Sequence, residues 1–135
     1  MTNRARHPGI DHIDLSVSDL ARSVAFYDAV LTELGFQKVS DDGTVVWRGG
    51  DTEIGVRAVQ TLEETKRYDR YRVGLHHLAF RAESRGAVDR FHAFLKSRDI
   101  EILDAPSEYP DYGPDYYAVF FSDPDGMKLE VVHRP

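Results

Sequence analysis

The 135-residue chain contains no cysteine. This absence excludes disulfide bonds, thiolate metal ligands and a cysteine nucleophile, and it fits a reducing cytoplasm, which is the location we expect. No apolar run approaches the roughly 18 residues of a membrane-spanning helix, and none follows the basic residues near the N-terminus, so we expect no signal peptide. The net charge of −6, without a basic stripe, makes nucleic acid and anionic membranes poor partners.

The beginning of the chain is repeated in its second half. Residues 9–17 read GIDHIDLSV and residues 74–82 read GLHHLAFRA, so aligning His12 with His77 keeps an apolar period of two in both copies. Each copy predicts a half-buried strand with a histidine near its start. We therefore expect one domain over residues 1–135, with module one at about 8–60, a connector at 61–72 and module two at 73–135.

Module one is predicted to contain one helix and four strands. The strand Ile10–Val17 is followed by a cap at Ser18 or Asp19 and by an apolar helical stripe that ends at Gly35, where a left-handed turn is expected. Turn residues then separate three short strands at Phe36–Val39, Thr44–Arg48 and Glu53–Val59.

Module two repeats this plan with an insertion. We predict a strand at Leu75–Ala82, a helix at about Ser84–Arg98 and a strand at Ile100–Leu103. Residues 105–115 contain three prolines and predict a loop, and a hairpin of Tyr116–Ser122 and Met127–His133 closes the chain.

The alternation of each strand places polar residues on the surface that faces away from the helices. On this reasoning His12, His77 and Glu130 share one surface. Two imidazoles and one carboxylate suit a divalent first-row metal with open coordination positions, such as catalytic zinc or non-haem iron. The alternative from spacing alone is a pair of hydrogen-bonded strand histidines and a surface acid.

The segments around these residues carry a family resemblance. The chain resembles the vicinal oxygen chelate superfamily of glyoxalase I, bleomycin resistance proteins, fosfomycin resistance transferases and extradiol dioxygenases, from Ile10 to His133, with residues 123–130 (DPDGMKLE) as the most specific part. The resemblance implies an α+β fold, in which two βαβββ modules form a curved mixed sheet, or cup, with helices on the outer face. It also implies a divalent ion (iron, manganese, nickel, cobalt or zinc) on His12, His77 and Glu130, and a homodimer. In such a dimer His12 of one chain joins His77 and Glu130 of the other, and the alternative is a cup that closes within one chain.

Glyoxalase I has a fourth ligand on the last strand of its first module. Aligning Asp51 with Asp125 places Val56 at that position, and valine cannot bind a metal. Typical glyoxalase I chemistry is therefore not expected.

Other side chains are candidates for contacts with a small-molecule substrate. Tyr117 is the candidate acid or base. His76 is expected to point to the helix side of its strand, as either a packed core histidine or an edge histidine. The candidate substrate-binding residues lie on the inward surface or in the proline-rich loop: Asp14, Arg81, Tyr109, Tyr112 and Lys128.

Two functions from different classes fit these features. The first is a metal-dependent enzyme, with lyase, isomerase or dioxygenase chemistry, which binds two adjacent oxygens of a small substrate and stabilises a developing oxyanion. The alternative is a metal-free protein that sequesters a ligand or antibiotic, as bleomycin resistance proteins do.

Overall fold

The computed structural model of the chain describes residues 9–61 and 67–135, so part of the predicted connector, residues 62–66, lies outside the described residues. The chain divides into two compact units, Met1–Glu63 and Glu64–Pro135. Each unit has one four-stranded mixed sheet and one α-helix, which confirms the α+β class and the prediction of two βαβββ modules. Over the described residues, no helix is both long and apolar enough to span a membrane.

Unit 1 contains one helix, α1, on a four-stranded sheet. Its elements are β1 (His12–Val17), α1 (Leu20–Glu33), β2 (Gln37–Asp42), β3 (Thr44–Gly49) and β4 (Thr52–Ala58), and the strand order is β1-β4-β3-β2. β2 continues to Asp42, beyond the predicted end of this strand at Val39. Gly43 turns the chain alone at φ 82°, a conformation that glycine takes without a Cβ clash.

The ends and the packing of α1 follow from single residues. The Asp19 side chain accepts a hydrogen bond from the Arg22 amide at 3.0 Å and begins the helix, and Gly35 at φ 95° lies just after it, as predicted. Trp47 of β3 is completely buried, and its indole nitrogen donates to Asp28 of α1 at 2.9 Å. Trp47 therefore anchors the sheet to the helix.

Unit 2 has the same plan. Its elements are β5 (Leu78–Arg81), α2 (Arg85–Ser97), β6 (Ile102–Glu108), a 3₁₀ helix (Pro110–Tyr112), β7 (Tyr117–Ser122) and β8 (Lys128–His133), and the strand order is β5-β8-β7-β6. Ser84 caps α2 by accepting from the Ala87 amide at 3.0 Å.

Two strands of unit 2 differ from their predicted bounds. β5 begins at Leu78, so residues 75–77 lie before the strand instead of within it. β6 continues to Glu108, so residues 105–108 form strand where a loop was predicted. Pro106 is tolerated because β6 is an edge strand whose pairing with β7 shifts register between Asp104 and Ser107.

Candidate metal centre

Glu130 lies in the middle of β8, between β5 and β7 in the sheet of unit 2. It pairs with Ala79 on one side and with Phe120 on the other, and it is only 1% exposed. Its Oε1 lies 3.0 Å from Nε2 of His77, and the hydroxyl of Tyr116 donates a hydrogen bond to its Oε2. A deeply buried carboxylate therefore contacts an imidazole and a phenol.

The contact between Glu130 and His77 places a carboxylate oxygen 3.0 Å from an imidazole nitrogen, a spacing that two ligands of one metal ion can have. Oε1 is buried and takes part in no directed hydrogen bond, although Nε2 of His77 is 3.0 Å away. Two ligand atoms that bind one metal at about 2.1 Å lie about 3.0 Å apart at right angles, as in octahedral sites, and about 3.4 Å apart at the tetrahedral angle. The two side chains thus fit the requirements of a divalent first-row ion, which binds imidazole nitrogen and carboxylate oxygen.

His76 holds the ring of His77. The two Nδ1 atoms lie 2.8 Å apart, so one ring donates to the other. Partial desolvation, followed by the charges of His77, Lys128 and Arg70, lowers the pKa of His76 below its usual value. If His76 accepts the Nδ1 proton of His77, Nε2 of His77 is left free to bind. His76 itself is exposed, so the core position among the two predicted for it was wrong.

Tyr116, which sequence reasoning missed, is the phenol of this site. Burial, and then its hydrogen bond to Glu130, raise the pKa of Tyr116 far above its usual value, so the hydroxyl stays protonated and donates. The predicted candidate, Tyr117, lies on the opposite face of β7, where its hydroxyl donates to Asp89 of α2 at 2.5 Å. Since Phe120 pairs with Glu130, alternation along β7 assigns residues 118 and 116 to the side of Glu130.

Aromatic side chains cover this part of unit 2. The Tyr109 ring packs edge-on against Phe120 at 5.4 Å and stacks on Tyr112 at 5.6 Å between ring centres. The Lys128 ammonium lies 4.3 Å above the Phe120 ring, and Arg81 is exposed at the end of β5. The structure therefore brings Tyr109, Tyr112 and Lys128 into one connected cluster with the pair of His77 and Glu130.

The remaining predicted site residues belong to unit 1. His12 is exposed at the start of β1, and its Nδ1 donates to Asp11 at 2.7 Å, a hydrogen bond that raises the pKa of His12. Asp14, two residues further along β1, pairs with Arg57 of β4 at 3.0 Å. Over the described residues, neither unit by itself groups three histidine, aspartate or glutamate side chains that could hold a metal ion.

Comparison with known proteins identifies the family. The sequence profile of the Glyoxalase/Bleomycin resistance protein/Dioxygenase superfamily matches residues 9–131. The chain belongs to this superfamily. It is 36% identical to YqjT of Bacillus subtilis (strain 168) over 123 residues. The matched region covers 90% of this chain and 95% of YqjT. The resemblance seen in the sequence is therefore confirmed.

Two further proteins are similar to the chain. Metallothiol transferase FosB of Shouchella clausii (strain KSM-K16) is 28% identical over 123 residues, which span 91% of this chain and 78% of that protein. The crystal structure of a glyoxalase-like protein from Bacillus halodurans has a TM-score of 0.79 and 35% identity, and the match covers 93% of this chain and 95% of that one.

Strand register identifies the unit 1 counterpart of Glu130 within this superfamily fold. In unit 2, Leu78 pairs with Leu129 and Ala79 with Glu130; in unit 1, Ile13 pairs with Ile54 and Asp14 with Gly55. Gly55 therefore corresponds to Glu130. The prediction that Val56 holds this position was wrong by one residue, because Val56 pairs with buried Leu15 and is itself completely buried on the side of α1.

Proposed function

We propose that the protein is a metal-dependent enzyme that acts on a small substrate with two adjacent oxygen atoms. The observation that carries this proposal is the approach of Glu130 Oε1 to His77 Nε2 at 3.0 Å, with the carboxylate 1% exposed. An ionised carboxylate is costly to bury unless a positive charge compensates it. A divalent cation beside Glu130 would provide that charge and would bind Oε1, the oxygen that makes no hydrogen bond.

His77 and Glu130 would hold the metal together with His12, which occupies the matching position of the repeat in unit 1. When bound, such an ion supplies Lewis acidity to two substrate oxygens at open coordination positions. The chain itself orients the side chains of Glu130 and His77. Tyr116 holds the Glu130 carboxylate through Oε2, and His76 holds the His77 ring through Nδ1.

The aromatic cluster would bind the rest of the substrate. Tyr109 and Phe120 pack edge to face and exclude water, whereas Tyr112, with 60% of its surface exposed, is available to contact a ligand. Lys128 and Arg81 would attract an anionic group, since both are cations on the same face of the sheet as Glu130.

Within the superfamily we propose polar chemistry, namely a lyase, isomerase or transferase reaction, in preference to dioxygenase chemistry. A dioxygenase is expected to place an acid or base beside the metal. The hydroxyl of the nearest phenol, Tyr116, is engaged in its hydrogen bond to Glu130. The relation to a metallothiol transferase points the same way. A cytoplasmic location and a homodimer, in which His12 joins His77 and Glu130, belong to the same proposal.

Metal reconstitution tests the proposal. After exposure to iron, manganese, nickel, cobalt or zinc and removal of excess ion, the protein should retain one equivalent of at least one metal per site. His77→Ala and Glu130→Ala should each abolish retention, whereas the control His92→Ala, on α2, should not. If no metal binds stoichiometrically, the enzyme proposal fails, and the metal-free sequestering function, supported by the aromatic cluster around Tyr109 and Phe120, replaces it.

A further inference from the structure

A segment of unit 2 that precedes β5 is tied to the turn between β7 and β8. The Tyr68 amide donates a hydrogen bond to the Asp125 carbonyl at 2.7 Å. The Arg67 guanidinium lies over Gly126, where an added Cβ atom would be 3.0 Å from Nε of the arginine. Arg67 Nη2 also contacts the Glu101 carboxylate at 3.3 Å. Residues 67 and 68 are therefore held against this turn.

The same turn leads directly to Glu130. The Asp123 carboxylate accepts hydrogen bonds from the amides of Asp125 and Met127, at 2.9 and 2.8 Å. β8 begins directly after Met127, and Glu130 is its third residue. The carboxylate of the candidate metal centre is thus carried by a strand that emerges from a hydrogen-bonded turn.

The Tyr68 side chain contacts the backbone just before His77. Its hydroxyl donates a hydrogen bond to the Leu75 carbonyl at 2.6 Å. Gly74 fits closely around this contact, because an added Cβ atom would lie 3.1 Å from the same hydroxyl. The cross-strand pairs of β5 and β8 begin at Leu78, one residue after His77. Tyr68 therefore holds the chain at a point where sheet pairing has not yet begun.

We infer that Tyr68 is a positioning residue for the metal centre. Its amide is bonded to the turn from which the strand of Glu130 emerges, and its hydroxyl is bonded to the backbone that leads into His77. One residue thus connects the supports of two proposed ligands, all within unit 2. This inference rests on the proposed metal-dependent function.

Metal affinity, measured by competition with a chromophoric chelator, tests the role of Tyr68 without any substrate. Tyr68→Phe keeps the ring and removes the donor to Leu75, so it should weaken binding of the reconstituting metal about fivefold, the effect of one neutral hydrogen bond. The matched control is Tyr71→Phe, which removes a hydroxyl from the same segment that accepts from Arg70 at 3.0 Å. Its effect should stay below about twofold.

Histidine ring signals give a readout that needs no metal. In protein with ¹⁵N-labelled histidine, the His77 signals are those that disappear in His77→Ala. Tyr68→Phe should displace these signals and leave those of His133 in place, because the His133 ring contacts the Ala82 carbonyl at 3.2 Å instead. Tyr71→Phe should displace neither set. A role of Tyr68 in general stability would leave the His77 signals unmoved.

The outcomes separate this inference from the proposed function. If His77→Ala abolishes metal binding but Tyr68→Phe binds like the wild type, the role of Tyr68 is refuted and the proposed function stands. Weaker binding with unmoved His77 signals also refutes the inference, since the loss then does not pass through His77. If Tyr71→Phe weakens binding as much as Tyr68→Phe, the inference fails as well.

The wild type provides the test of the proposed function itself. If it retains no metal, the proposed function fails first and the inference fails with it. Unfolding midpoints in urea show whether each variant remains folded.

Discussion

Replacing Val56 by glutamate tests which of two alignments of the units is correct. One alignment matches the turns at Asp51 and Asp125, and the other matches the register of the paired strands. Turn alignment predicts that residue 56 is a metal-ligand position, so Val56→Glu would add a ligand and tighten metal binding. The register places Val56 opposite Leu15 on one side and opposite Val45 on the other, with no exposed surface. On that basis the new carboxylate enters the core beneath α1, with no cation to compensate it.

The cost of this substitution follows from the pKa of a buried acid. Glutamate in an apolar core has a pKa of about 8 to 9, against about 4.3 in the unfolded chain. At about 1.4 kcal/mol per unit, the folded state loses about 5 kcal/mol at pH 8 but only about 1 kcal/mol at pH 5. Because the pKa is raised in the folded state, the loss is absent below the unfolded value and grows as the pH rises. A loss of about 5 kcal/mol equals the whole stability of many domains.

Urea unfolding at pH 5 and pH 8 measures this dependence. Val56→Glu should lose about 4 kcal/mol between the two pH values, relative to the wild type. The control Val56→Gln has the same size without the charge and should show a loss that does not change with pH. Metal affinity should not rise in either variant. A Val56→Glu protein as stable at pH 8 as Val56→Gln, with tighter metal binding than the wild type, would refute the register argument.

Two further substitutions test single contacts. Tyr116→Phe removes the donor to Glu130 and should weaken metal binding about tenfold or more. The neighbouring Tyr117→Phe should leave metal binding unchanged. Equal affinities for the two variants would refute the placement of Tyr116. Trp47→Phe removes the hydrogen bond to Asp28 and leaves a gap in the core, so it should lower the unfolding free energy by about 2 kcal/mol. A loss below about 0.5 kcal/mol would show that Trp47 does not anchor the sheet, since changes of that size are typical of surface sites.

The helices were predictable because their signals are local. The apolar stripe of α1, the cap at Asp19 and the glycine at position 35 all lie within one stretch of sequence, and the observed helix, Leu20–Glu33, agrees with them. The repeat around His12 and His77 was visible for the same reason, since both copies keep an alternation of two. Local periodicity was therefore enough to predict two βαβββ modules.

The details that failed depend on which residues face each other across strands. A shift of one residue turns a side chain to the other face of a sheet, so Tyr117 was chosen where Tyr116 contacts Glu130, and Val56 was chosen where Gly55 is the counterpart. Val56 was chosen by aligning the turns that contain Asp51 and Asp125. These turns differ in length, since two residues separate β3 from β4 but five separate β7 from β8. Only the paired register resolves such errors.

The two irregular edge strands have a consequence for aggregation. Pro106 offers no amide hydrogen, and shifts in register interrupt β6, while β2 combines exposed charges with a shift between Lys38 and Ser40. Neither edge presents the regular row of donors and acceptors that another chain needs for strand addition. The sheets also end at β1 and β5. A foreign strand is therefore more readily accepted at the strand that carries His12 or the strand that follows His77, so uncontrolled association would take place beside two of the residues proposed to bind a metal.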